Sequence, residues 1–145
     1  VADQIAPSAP HTAAVLAALE EAGIVAGRAV KPDGGGWAGE PGHSDYVPYA
    51  VVYPSPGVPD GNIAEPLEYL DYSAQISCWG TTEEQVEMFA DDVRAALIGR
   101  ILSVPGRSCY RVQQPPGSPP VQRFDQPPPA EYRAVVEIAF RSQAA

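Results

Sequence analysis

Leu70-Asp71-Tyr72-Ser73-Ala74-Gln75-Ile76-Ser77-Cys78-Trp79-Gly80-Thr81-Thr82-Glu83-Glu84 carries two structural signals in succession. Leu70, Tyr72, Ala74, Ile76 and Cys78 alternate with Asp71, Ser73, Gln75, Ser77 and Trp79. Successive strand side chains point to opposite faces, so period two with one apolar phase predicts a half-buried β-strand. The pattern then changes. Thr81 and Glu84 stand at the T-x-x-E spacing of a capping box, which satisfies the first free N–H groups of a helix. Val86, Phe89, Ala90, Val93, Leu97 and Ile101 follow as a single apolar stripe, with Met88 off it. Glu83, Glu84 and Glu87 near the start, and Arg94 and Arg100 near the end, have the signs that a helix dipole favours. Gly99 or Pro105-Gly106 ends the helix.

Weaker signals flank this unit. Val15, Leu16, Leu19 and Ala22 predict a first helix, capped by Ser8 or Thr12, with Pro10 in its first turn and Gly23 as its stop. Ile24 to Val30 reads as a short strand, and Tyr49 to Tyr53 as another, bounded by Pro48 and Pro54. Arg107 to Gln113 and Glu131 to Arg141 complete the strands. In the last, Ala134, Val136, Ile138 and Phe140 point inward, and Arg133, Glu137 and Arg141 point the other way. The segments 31–48, 54–68 and 114–130 are loops rich in proline and glycine, the last holding seven prolines. The expected fold is α+β: an antiparallel or mixed β-sheet of about four to five strands with two helices packed on one face. No repeat or internal boundary interrupts residues 1–145, which read as a single domain.

Composition narrows the function. The chain has 145 residues, with 18 acidic against 9 basic, for a net charge of −9. Such a chain does not coat DNA or an anionic membrane by electrostatics. No apolar run approaches the ~20 residues of a membrane helix, and the first residues lack a basic-then-apolar signal pattern.

Catalytic signatures are missing. His43-x-Asp45 offers two metal ligands without a third, and reads as exposed loop. Gly34-Gly35-Gly36 lacks the Gly-Lys-Ser/Thr of a phosphate loop and reads as a hairpin tip. Cys78 and Cys109 have no histidine partner and read as buried, reduced thiols, or as a disulfide if their strands are neighbours. The acids of the second helix are explained by its dipole and by an Asp91–Arg94 pair. No catalytic, metal or cofactor residue is expected, and no cofactor. Stiff loops on a small core suit contact with other proteins. Trp37, Tyr46, Arg107, Arg111, Arg123 and Phe124 are the candidate interface residues, aromatic anchors and arginines being typical of such surfaces.

Pro48-Tyr49-Ala50-Val51-Val52-Tyr53-Pro54-Ser55-Pro56-Gly57, then Asp71 to Gly80, then Thr82, Gln85, Ala90-Asp91-Asp92-Val93-Arg94-Ala95 and Leu97 form a familiar series. In these motifs, and in its order of elements, the chain resembles the tail terminator proteins of long-tailed, non-contractile phages, especially those of actinobacteria. The resemblance implies a structural virion protein and not an enzyme. It implies a homohexameric ring that caps the head-proximal end of the tail tube and stops tube polymerisation. The implied partners are the tail tube protein and a head-completion or neck protein, with DNA only passing through the channel and no membrane. The implied location is the head–tail junction of a virion assembled in the host cytoplasm. Six copies would carry about −54 in formal charge, which would let DNA slide past an acidic lumen. The 114–130 segment is long for a hairpin and is assigned to a neighbouring subunit or neck protein. A head-completion or stopper protein is the alternative within the virion. A small bacterial ligand-binding or enzymatic domain, with a pocket beneath the loops, is the alternative outside it.

Overall fold

A computed structural model describes residues 4–145. The elements run α1 (Ala9–Glu21), β1 (Ala26–Arg28), β2 (Gly36–Trp37), β3 (Tyr46–Val47), β4 (Tyr49–Pro54), β5 (Val58–Asp60), β6 (Tyr69–Gly80), α2 (Glu83–Leu97), β7 (Arg107–Cys109), β8 (Gln122–Phe124) and β9 (Glu131–Ala144). The main sheet has the order β1-β4-β6-β9-β7, with β5 also on β6 and β8 also on β9. Only β1 and β4 pair in parallel, so the sheet is mixed. Strands β2 and β3 form a separate small hairpin.

The alternating stretch is the centre of the sheet. Every residue of β6 pairs with β9, from Tyr69 opposite Gln143 to Gly80 opposite Tyr132. Its apolar phase, Tyr72, Ala74, Ile76 and Cys78, meets Phe140, Ile138, Val136 and Ala134 across the ladder. These residues are buried with Val15 and Leu19 of α1 and Val86, Val93 and Leu97 of α2 in one core. Both helices therefore cover the same sheet face, as expected of two amphipathic helices on a half-buried sheet.

Several local expectations are corrected. The helix cap is Thr82 and not Thr81: the Thr82 hydroxyl accepts from the Gln85 amide at 3.1 Å. Gln85 Oε1 accepts from the Thr81 amide at 2.7 Å, one residue before the cap, so Thr82 and Gln85 form only half of a capping box one residue beyond the predicted T-x-x-E, and Glu84 is exposed. Ile101 is not on the helical stripe, because α2 ends at Leu97, Ile98 turns extended and Gly99 takes φ +82°. Ser8 occupies the first cap without a side-chain bond, and Thr12 donates or accepts inside the core instead. The three loops each contain short strands, β2 and β3, β5, and β8 respectively. The 107–113 strand is interrupted. Cys109 faces Ser142 but Gln113 faces Ala139, so one extra residue bulges at 110–112. Residues 111–112 then pair outward with 100–101, through the Ile101–Arg111 bridge and the Val112 amide to the Arg100 carbonyl at 2.9 Å.

Candidate interaction surface

The sheet face turned away from the helices carries the polar phase of β6 and β9. At one end of it, three distant segments converge on the strand residues. The β2–β3 hairpin brings Trp37 edge-on to Tyr46, with ring centroids 5.1 Å apart. Tyr46 lies 6.5 Å from Tyr49 of β4, and Tyr49 stacks on Trp79 of β6 at 6.3 Å. Phe124 of β8 closes the row against Trp79 at 5.4 Å, with the Arg133 guanidinium 5.2 Å from its ring centroid. Aromatic pairs at these separations attract beyond their buried area.

Local chemistry explains why the hairpin lies down on the sheet. A Cβ on Gly35 would stand 2.7 Å from the Tyr49 Cβ, so only glycine lets the backbone pass there. Gly36 adopts φ +83°, and Lys31 places its ammonium 5.6 Å from the Tyr49 ring centroid. The triple glycine is thus a close-packed crossing over an aromatic ring.

The row is tied down at its polar end. Tyr46 Oη donates to Glu131 Oε2 at 2.7 Å. Burial, and then the Glu131 carboxylate, hold the Tyr46 phenol far above its ordinary pKa. Burial and Glu131 push Tyr49 up to about 12. Both phenols stay neutral hydrogen-bonding groups. Phe124 is 37% exposed, whereas Trp37, Tyr46 and Trp79 are half-buried. Such a surface can seat apolar and aromatic side chains and orient them with hydroxyl and guanidinium groups.

Of the six residues proposed from sequence, Trp37, Tyr46 and Phe124 come together in this row. Arg123 lies beside Phe124 but on the opposite face, paired with Asp125 at 2.6 Å and 5.8 Å from the Tyr132 centroid. Arg107 and Arg111 stand elsewhere. Arg107 is committed to its own chain, donating to Ser142 Oγ (3.1 Å), to the Ser142 carbonyl (3.0 Å) and to the Glu68 carbonyl (3.2 Å). Arg111 is exposed and donates to the Gly99 carbonyl at 2.8 Å. Trp79 and Arg133 join the row without having been singled out. Their signal was the polar phase of each strand, where a tryptophan among serines and glutamine is the residue out of keeping.

Other chemistry-bearing groups stay apart. His43 is exposed, and no group of three His, Cys, Asp or Glu side chains is placed to hold a metal among the described residues. Cys78 and Cys109 are free thiols, because β9 lies between their strands. Their register partners, Ala134 and Ser142, are roughly 25 Å apart along β9 at ~3.3 Å per residue. Burial pushes the Cys78 thiol up to about 12. No helix among the described residues is long and apolar enough to cross a membrane.

No protein-family model and no curated protein matches the chain. Among solved structures, it is similar to a chain of the virion of a native gene transfer agent particle, with a TM-score of 0.56 over 88% of this chain and 83% of that one. At 16% sequence identity, what the two chains share is the fold: a mixed sheet with two helices on one face.

Proposed function

We propose that this chain is a structural subunit of a phage-like particle, and specifically a ring-forming tail terminator. It would cap the head-proximal end of the tail tube, stop tube polymerisation and join the tail to the neck. The observation that carries the reading is the match in fold, over most of both chains, to a component of a gene transfer agent virion. The motif series from Pro48 to Leu97 supports the finer assignment, and so does an aromatic surface built from loop segments. The chain acts by binding and positioning, without a catalytic step. Its partners on this reading are five further copies, the tube protein and a neck protein, with DNA passing through an acidic channel.

Light scattering after size exclusion, over a range of concentrations, is the first test. A discrete species near six subunits is expected. Sedimentation with purified tail tubes is the second, with binding expected at tube ends. Binding to portal-side proteins but not to tubes would replace the terminator with a head-completion protein. A ring whose channel is lined mainly by arginine would remove the acidic lumen.

A further inference from the structure

Two unlike patches on this chain complement each other. The first is a groove on the outer flank of α2. Met88, 61% exposed, and the half-buried Phe89 form its floor with Pro48 and Ile24. It consists of two adjoining hollows of about 640 and 370 Å³ that share Pro48, Phe89 and Asp92. Glu84 and Asp92 stand on its rim, while Glu87 lines a separate hollow on the other flank of α2 with Asp91 and Arg94. The cations nearby are engaged: Arg94 lies 3.7 Å from Asp91, and Arg100, at the far end, lies 3.8 Å from Glu21. Among the described residues, no cationic side chain is within 4.0 Å of the Glu84, Glu87 or Asp92 carboxylates. The Met88 end of the groove is mainly apolar, its Arg100 end is mainly polar, and Glu84 and Asp92 make the rim of the Met88 end negative.

The second patch is a ridge at the bulged margin of the sheet. Ile101 is 59% exposed, Tyr110 is 47% exposed, and Arg111 stands between them. Ile101 and Arg111 are opposed in an antiparallel bridge, so their side chains share a face. Val112, the next residue, is in the core beneath the helices, so alternation turns Ile101 and Arg111 away from the helix layer. No carboxylate lies within 4.0 Å of the Arg111 guanidinium among the described residues. The ridge is apolar and positive.

We infer that the Ile101–Tyr110–Arg111 ridge of one copy docks in the Met88–Phe89–Pro48 groove of the next, forming the head-to-tail contact of the ring. The inference rests on the ring reading above and names its junction. Groove against groove would set acid on acid, and ridge against ridge would set arginine on arginine. Charge therefore selects the unlike pairing. Unlike patches on one chain make a heterologous contact, the kind that closes into a ring when its rotation allows.

The test uses the full chain with Met88→Asp and Ile101→Asp made separately. Both side chains are exposed, so melting temperatures should match the wild type and confirm folding. Each variant alone should lose the ring peak in size exclusion with light scattering. Mixed in equal amounts they should give a dimer and nothing larger, because only one junction per pair remains intact. Asp92→Arg and Arg111→Glu should each weaken assembly, and the two combined in one chain should restore it. If the wild type forms a ring and the single variants do too, the junction is wrong and the ring stands. If the singles lose the ring and the mixture yields no dimer, the contact is not head-to-tail. A wild type that is monomeric at all concentrations and on tail tubes overturns the ring and its junction together.

Discussion

His11 joins the two ends of the described chain through one directed hydrogen-bond path. Its Nδ1–H donates to the Pro7 carbonyl at 2.9 Å, which leaves Nε2 to accept from the Ser142 hydroxyl at 2.7 Å. Ser142 Oγ in turn accepts from Arg107 Nε at 3.1 Å. The ring packs against both Tyr72 and Phe140, with centroids 5.6 and 5.8 Å away, in a three-ring cluster whose third side is 5.2 Å. A proton on Nε2 would take away the acceptor of the Ser142 O–H. Burial lowers the His11 pKa from its ordinary 6.5, the Pro7 carbonyl partly opposes this, and the Arg107 charge adds to the lowering. The unfolded chain therefore binds a proton that the folded chain refuses, and stability rises with pH. The contribution is complete above ~6.5 and is lost as pH falls from there through the lowered folded value. Urea unfolding at pH 7.5 and 5.5 should show this decline, and His11→Gln should flatten it. Thr12 and Tyr72 share a buried bond of 2.6 Å between their hydroxyls. Tyr72→Phe strands the Thr12 hydroxyl and should destabilise by about 1–3 kcal/mol. The Thr12→Val, Tyr72→Phe double variant should recover part of that loss in the same unfolding assay.

Among the elements, α2 shows most directly how sequence becomes structure. Thr82→Ala removes the acceptor for the Gln85 amide and should reduce unfolding free energy by about 1 kcal/mol. Thr81→Ala leaves that bond intact and should have a smaller effect, which reverses the ranking expected from the T-x-x-E spacing. The long elements α1, α2, β6 and β9 could be read in advance because each repeats its period several times, and β4 because Pro48 and Pro54 bound a short apolar run. Strands β2, β3, β5 and β8 could not. They span two or three residues, which is too short for any periodicity; β5 and β8 exist because the longer β6 and β9 offer free ladder groups, and β2 and β3 pair only with each other. The 110–112 bulge had no signal either, since Arg107 to Gln113 alternates well enough to pass for one strand. The candidate surface was half readable. Loop aromatics such as Trp37 and Phe124 stood out by context, but only the register that sets Tyr49 opposite Trp79 shows that they form one row. Arg107 misled because a lone arginine in a strand looks available until its carbonyl acceptors on Glu68 and Ser142 are known.

For the whole molecule, the position of β6 sets the order of stability. It is paired on both sides along most of its length, with β4 and β5 on one edge and β9 on the other. Backbone groups enclosed in this way exchange only when the sheet opens globally. Amide hydrogen exchange should therefore be slowest for Ala74 to Cys78, and fastest in the parts of 114–130 outside β8. Ile138→Ala, at a fully buried site on the helix-covered face of β9, should cost about 2–5 kcal/mol of global stability. The pairing of β6 with β9 also has a consequence for synthesis. The strand that completes the sheet, and Ser142 that completes the His11 bonds, leave the ribosome after the other elements of the described residues. Until then β6 is an open edge, and one side of the core behind Tyr72, Ala74 and Ile76 has no cover. A nascent chain whose last exposed residue is near 125 should be digested by protease as readily as an unfolded one. Protection should arrive abruptly once residues 131–144 are clear of the exit tunnel. On this view the sheet closes in one late step, and the buried side chains of β6 find their cover only when β9 arrives.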